Sequence, residues 1–307
     1  MNDLVTILFA AIASGTIILY ATIGEIITER SGILNLGVEG MMLMGAFFGY
    51  FVAYHTGNLF FAVVAAGLMG GFMGFIHAFM SITMRANQVV SGLALTMLGQ
   101  GASAFFGIKL VGKTLKNSIS AIEIPILSKI PVLGEILFKH NIMVYIGFIL
   151  PFIVWYVLTK TRWGLALRAS GEEPLSSEIM GIHVIKVRYI ATIVGGIFIG
   201  ISGAYLSVAY SRLWVEGMTA GKGWITIALV IFSNWNPLIA YGGAYLFGAL
   251  EQLGLSLQKF NINFPIILLK SIPYLFTILF LLFISLKGKR SNLPKALGES
   301  YFRESRG

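Results

Sequence analysis

Apolar residues run through this chain in long unbroken stretches separated by short polar breaks. Nine stretches carry the pattern: Leu4–Ile23, Glu39–Tyr54, Leu59–Thr83, Val89–Leu110, Ile142–Leu158, Tyr189–Tyr210, Trp224–Phe232, Leu238–Leu255 and Pro265–Leu286. A helix needs roughly 20 apolar residues to cross a bilayer. Spans in lipid must satisfy their own backbone hydrogen bonds, which favours helices, and continuous rather than alternating runs argue against a β-barrel. The fold expected is an all-α polytopic membrane protein with about 8–10 transmembrane helices, forming a single transmembrane domain over residues 1–307. Glu39–Tyr54 is short, and Trp224–Phe232 is too short to span by itself. Both are flanked by Gly and polar residues, the pattern of broken segments that line a solute path. Their places near opposite ends of the chain allow an inverted repeat.

Composition agrees. The chain is 57% hydrophobic and 11% charged, with a mean hydropathy of +0.84, whereas soluble domains carry about a quarter charged residues. The net charge of +9 fits cytoplasmic loops enriched in Lys and Arg. No basic face with interleaved aromatics speaks for nucleic acid. Absence of cysteine excludes disulfides, thiolate metal sites and Cys nucleophiles. His55, His77, His140 and His183 lack ligand spacing, so no metal site is expected. The start, MNDLVTILFA, lacks a basic leader region and reads as the first span rather than a cleaved signal.

The tail, residues 287–307, holds Lys287, Lys289, Arg290, Lys295, Arg303 and Arg306 and is expected in the cytoplasm. Counting back through nine spans places the segment from Lys160 to Arg188 in the cytoplasm, with Arg30 and Arg85 on the same side and the N-terminus outside. The loop Val111–Asn141 then lies outside, although it carries Lys113, Lys116, Lys129 and Lys139. Gly67, Gly70, Gly71 and Gly74, then Gly195, Gly196, Gly200 and Gly203, then Gly242, Gly243 and Gly248, recur at spacings suited to close helix packing.

Four stretches could carry chemistry. In ERSGILNLGVEGMM, Glu29 and Arg30 mark a membrane edge, and Asn35 and Glu39 lie in or beside an apolar run. Glu39 either starts a helix, where an acid suits the dipole, or joins Asn35 on a solute path. In RANQVVSGLALTMLGQ, Asn87, Gln88, Ser91 and Thr96 either cap and cross-link helices or offer amides and hydroxyls to a neutral hydroxylated solute. In GKGWITIALVIFSNWNP, Trp224 and Trp235 bracket a short apolar run, as interface anchors or with Trp224 stacking on a sugar or base. The fourth stretch runs from Lys160 to Arg188. It is too polar to cross lipid and reads as a large water-exposed loop. Gly171 and Pro174 break helix, Ser176–Met180 form one or two turns, and Gly181 ends them. With Glu172, Glu173 and Glu178 this is either a solvated charged loop or a short helix that docks in a partner's cleft. The sequence GxxxxGK followed by Ser or Thr is absent, as is any nucleophile–base pair, so no catalytic residues are expected and ATP hydrolysis would fall to another subunit.

Over roughly Gly24–Leu286 the chain resembles the permease subunit of bacterial ABC importers, in the branch that handles ribose and other simple sugars, nucleosides and branched-chain amino acids. RSGILNLGVEGMMLMGA, RANQVVSGLAL, LRASGEEPLSSEIMGIHVIKVRY and GKGWITIALVIFSNWNPLIAYGGAYLFG together carry the resemblance, and NLGVEGMM is most similar to nucleoside-type members. The resemblance implies two permease subunits, the second a paralogue, with two cytoplasmic ATPase subunits that hold ATP and magnesium, and an extracellular or periplasmic binding protein. It implies no cofactor on this chain and a multi-pass location in the bacterial cytoplasmic membrane. Gly171, Glu172, Pro174 and Gly181 match the position of the helix that meets the ATPase. Ile185 and Lys186 stand where small or polar residues are common in the family, which bears on the geometry of that contact. The rival expectation is a secondary transporter driven by an ion gradient, with Glu39 and Glu251 as its acids and Lys270 near a span edge.

Overall fold

The computed structural model describes residues 3–257 and 292–302, with single positions at 271, 275, 278, 279 and 282 between them. Eleven helices are present among them: α1 (Asp3–Arg30), α2 (Val38–Thr56), α3 (Leu59–Ala78), α4 (Gln88–Gly107), α5 (Leu133–Leu137), α6 (Ile142–Lys160), α7 (Arg162–Glu172), α8 (Pro174–Ile179), α9 (Val184–Ala204), α10 (Lys222–Phe232) and α11 (Pro237–Leu257). α3 and α9 each close with a π-helical turn, Phe79–Thr83 and Tyr205–Tyr210. Among the described residues, five segments are long and apolar enough to cross a membrane: Leu4–Arg30, Leu59–Thr83, Gln88–Leu110, Ile142–Lys160 and Val184–Tyr210. Apart from those single positions, the expected span Pro265–Leu286 falls outside the described residues, as do the tail positions 287–291 and 303–307.

The polar breaks between apolar runs are helix caps. Asn58 accepts from the backbone N–H groups of Phe60 and Phe61, Asn87 from Val90, Asn141 from Met143 and Val144, and Thr161 from Gly164. Each satisfies donors that a helix start leaves open. α9 is the stem of the bundle, packing against α1, α2, α3 and α7, while α11 and α10 pack on α1 and α4 packs on α2. Large apolar side chains on α3, α4 and α6 point outward, among them Phe60 at 72%, Met97 at 71% and Phe105 at 75% exposure. An apolar outer surface of this extent suits lipid or another apolar subunit.

Two connections re-enter the bundle. Residues 31–37 lead from α1 into α2, and residues 211–221 lead from α9 into α10. The starts of α2 and α10 meet inside: a Cβ on Gly223 would lie 2.5 Å from the backbone nitrogen of Glu39. α10 then runs for 11 residues, to Phe232, about 16 Å, and three residues past its end the Trp235 carbonyl accepts from Arg30.

The structure corrects three expectations. α1 does not stop at Ile23; it continues to Arg30 and buries Glu25 and Glu29. The segment Lys160–Arg188 is mostly helix rather than open loop: Gly164, Leu167, Ser170 and Gly171 of α7 are buried, and Arg188 is 2% exposed within α9. Gly171 does not break a helix. It lies inside α7, where a Cβ would come 2.3 Å from the Arg30 carbonyl oxygen, so its smallness lets two backbones touch.

The loop 111–141 lies at the opposite end of the bundle from α8. It is held by Ile122 N–H donating to the His140 carbonyl (2.8 Å), and the His140 ring stacks on Phe9 with centroids 4.3 Å apart. Ring Nε2–H of His140 donates to the Ile136 carbonyl at 2.8 Å. Burial pushes the His140 pKa below its ordinary 6.5, and the bond to Ile136 offsets part of that. A histidine whose folded pKa is lowered stabilises as the neutral ring, so the unfolded chain gains protons first as acid is added. Thermal stability should fall as the pH drops below about 6.5, and His140→Phe should reduce that slope. An unchanged slope in the variant would contradict the assignment.

Candidate functional site

The face that carries α8 is assembled from remote parts of the chain. Thr161 caps α7, and α7 ends where its last turn packs on Arg30. Glu173 then leaves helical geometry, Pro174 opens α8, and Gly181 ends the turn at φ +88°, a left-handed conformation that costs other residues energy. Ser177 Oγ donates to the Glu173 carbonyl at 2.8 Å, and the Glu178 carboxylate accepts from the Val184 N–H at 3.1 Å, which caps α9. Ile179 is 85% and Met180 82% exposed, with Leu175 also exposed and Glu172 half-buried beside Glu173. An apolar tip flanked by acids therefore stands out from the bundle.

The polar residues of the first half of the chain form a seam along the re-entrant segment 31–37. Asn35 donates through Nδ2 to Glu25 (2.8 Å), and its Oδ1 accepts from Gly37 N–H (2.9 Å). Gln88 accepts from Leu34 N–H at 2.7 Å. Ser91 meets the His77 ring at 3.0 Å, and the other ring nitrogen meets the Leu34 carbonyl at 3.0 Å. Thr96 donates to the Leu36 carbonyl at 2.9 Å. Irregular backbone inside a membrane bundle needs such partners. Asn87 stands apart, exposed, as the α4 cap.

Glu39 has a different task. Its carboxylate accepts from the Thr219 hydroxyl (2.6 Å), Gly221 N–H (2.9 Å) and Gly223 N–H (2.6 Å). One acid thus sits in the first turn of α2 and closes the start of α10, where the dipole of each helix favours it. Trp224, one residue on, is 39% exposed.

Sequence reasoning missed two pairings, one buried and one part-buried. Glu29 accepts from the Trp235 indole N–H at 2.6 Å, and the Lys222 ammonium pairs with Glu251, whose second oxygen accepts from Ser14 Oγ at 2.5 Å. Glu25 and Glu29 fall four apart in GEIITER, one helix face, which was the available signal. Nothing local links Lys222 to Glu251. On the opposite face a cavity of about 250 Å³ opens among Phe9, Ala13, His140, Tyr205, Tyr210 and Arg212. Among the described residues, no group of three or more His, Cys, Asp or Glu could hold a metal ion.

A helical bundle with re-entrant segments meeting at mid-depth, lipid-facing apolar surfaces and a protruding helix on one face is built as a membrane permease. Residues 7–286 match the family described as the branched-chain amino acid transport system permease component, and the chain belongs to that family. It is 38% identical to the putative glucose ABC transporter permease protein of Haloferax volcanii, over 97% of this chain and 98% of that one. It is 34% identical to the guanosine ABC transporter permease protein of Bacillus subtilis, over 94% of each. It is 30% identical to the nucleoside ABC transporter permease protein of Lactococcus lactis, over 99% of this chain and 98% of that protein. No solved structure matches. The chain is an ABC importer permease subunit, a multi-pass protein of the cell membrane. Its relatives are transporter permeases rather than enzymes, and permeases of this family work with an ATPase and a substrate-binding protein.

Proposed function

We propose that this chain carries a nucleoside or a simple sugar inward, driven by ATP that a separate cytoplasmic ATPase subunit binds with magnesium. The observation that carries the reading is α8, whose Leu175, Ile179 and Met180 tip stands out beside Glu172, Glu173 and Glu178. The tip has the size and polarity to seat in a cleft of the ATPase. Its face is then cytoplasmic, and the cavity at Tyr205 and Tyr210 faces the binding protein outside. A second permease, a paralogue, completes the pore against the apolar outer surface. The substrate class follows from the names of the relatives, glucose, guanosine and nucleoside. Asn35, Glu39, Gln88, Ser91 and Thr96 border the solute path as the fasteners of its re-entrant walls. Asn87 and Trp224, both exposed, face the path more directly.

The test keeps the fold intact. Leu175, Ile179 and Met180 changed together to serine should leave insertion normal and lower solute-stimulated ATPase activity at least about tenfold in the reconstituted complex. Retention of full stimulation would reject α8 as the coupling element. Binding of nucleosides against hexoses by the cognate binding protein, measured by calorimetry, decides between the two substrate classes.

A further inference from the structure

The face that carries α8 holds a second element, residues 292–302, laid across it as a strap. Ala296 N–H donates to the Gly171 carbonyl (2.9 Å), Gly298 N–H to the Gly32 carbonyl (3.3 Å), and Asn292 N–H to the Asn234 side chain (2.7 Å). In return the Asn292 carbonyl accepts from Arg30 (3.3 Å), and the Glu299 carbonyl accepts from both Arg188 (3.3 Å) and Gln88 (3.4 Å). Pro294 and Ala296 are buried, and Leu297 packs against the core. Gly298 holds φ at +83°, which lets the strap turn over Leu34. The exposed pair Lys295–Glu173, at 3.4 Å, adds little by itself. The attachment lies in the backbone bonds and in Arg188.

Arg188 acts as the pin. Its guanidinium is buried, donates to the Ser170 carbonyl at the end of α7 (3.1 Å) and to Glu299 in the strap, and lies so close to Gly32 that a Cβ there would be 2.7 Å from it. One side chain thus joins the neck of α8, the re-entrant segment 31–37 and the strap. Asn234, at the turn between α10 and α11, is joined through Asn292. The parts so joined are the root of α8 and the roots of both re-entrant units. Energetic coupling between distant sites needs such a contiguous set of packed and hydrogen-bonded parts.

We propose that the strap 292–302 is the transmission element that makes α8, the segment 31–37 and the turn at Asn234 move as one body, with Arg188 as its positioning residue. This rests on the reading of α8 as the ATPase contact. The ATPase moves α8; the strap passes that movement to the starts of α2 and α10, which meet through Glu39. The strap needs no contact with solute or ATP to do this.

The experiment uses the complete permease, ATPase and binding protein in proteoliposomes. Arg188→Met, and a chain ending at Ser291, should insert and keep basal ATPase activity, while solute moved per ATP falls at least about tenfold. Arg188→Lys should restore part of that ratio, which a purely structural loss would not show. The chain has no cysteine, so Asn234→Cys with Asn292→Cys allows the strap to be tethered by a short thiol cross-linker. Tethered protein should transport normally, because the joined parts travel together. Unchanged solute per ATP in the shortened chain would overturn the proposal. So would arrest by the tether, which would mean that the strap must detach. If Arg188→Met and the shortened chain fail to insert, the tether alone decides. Loss of coupling in the α8 triple variant with full coupling in the shortened chain removes only the strap inference. Full coupling in both removes the reading of α8 as well.

Discussion

Lys222→Met is expected to lower the stability of the fold. Lys222 is 8% exposed, and its ammonium pairs with Glu251, which also takes the Ser14 hydroxyl. Ser14 is the twelfth of the 28 residues of α1, so the part-buried pair lies about halfway along that helix. Removing Lys222 leaves the Glu251 carboxylate, 32% exposed, without its counter-charge, a cost below the about 3–5 kcal/mol of a fully buried pair, against a typical total of about 5–15 kcal/mol. The variant should show a sharply lower thermal midpoint in detergent. Lys222→Met combined with Glu251→Gln removes both charges and should recover much of the loss. The sign of that recovery separates an ion pair from two independent contributions. A single variant as stable as the parent would show that the pair carries no stability. The same pairing bears on ion coupling: the Glu251 carboxylate is committed to Lys222 and Ser14, and the Glu39 carboxylate to the start of α10. Neither of the acids that a gradient-driven transporter would need stands open, so uptake should persist when the proton gradient collapses and ATP is maintained.

Much of the fold was readable because lipid imposes simple rules. Apolar runs gave the helices, and capping was one of the roles open to Asn87, which caps α4; Asn58 and Asn141, which cap α3 and α6, were not singled out. Pro174 and Gly181 bounded α8, because one fixes φ and the other tolerates the left-handed turn. The polar residues inside the runs were ambiguous for a physical reason. A side chain that fastens an irregular segment and one that lines a pore both interrupt an apolar stretch in the same way. Ser91 and Thr96 read equally well as either until the segment 31–37 came to lie beside them. Glu29 reads as a membrane edge, as a carboxylate near the end of an apolar run does unless a partner is known, and its partner is Trp235. The strap escaped notice because its charges were read only for sidedness. Pairings across more than 100 residues, such as Gln88 and Arg188 with Glu299, leave no periodic trace.

Gly200→Leu should prevent the bundle from closing. A Cβ at Gly200 would lie 2.2 Å from the Ala66 carbonyl oxygen of α3, and Gly45 of α2 approaches the Gly200 carbonyl so closely that its own Cβ would lie 2.4 Å away. Gly196 and Gly203 bring α9 equally near to Gly70 and to the Met42 carbonyl. Within lipid, apolar helices gain nothing from hiding from water, so such contacts hold them together through close packing and small residues. A leucine at Gly200 must displace α3, whose backbone at Ala66 and Gly70 it meets first. Overpacking costs about 1–3 kcal/mol where side chains can yield, and here the neighbours are backbone. The alanine variants give the clearer reading, because helix propensity and packing predict opposite signs. Alanine favours helix over glycine by about 1 kcal/mol, so Gly242→Ala, where a Cβ meets nothing within 4 Å, should be neutral or stabilising. Gly200→Ala should lower the thermal midpoint in detergent; a rise would mean that α9 is not held by backbone contact. Because α9 also carries Arg188 at its other end, loosening this seam should weaken coupling before it abolishes insertion, and Gly200→Ala should show that partial loss in solute moved per ATP.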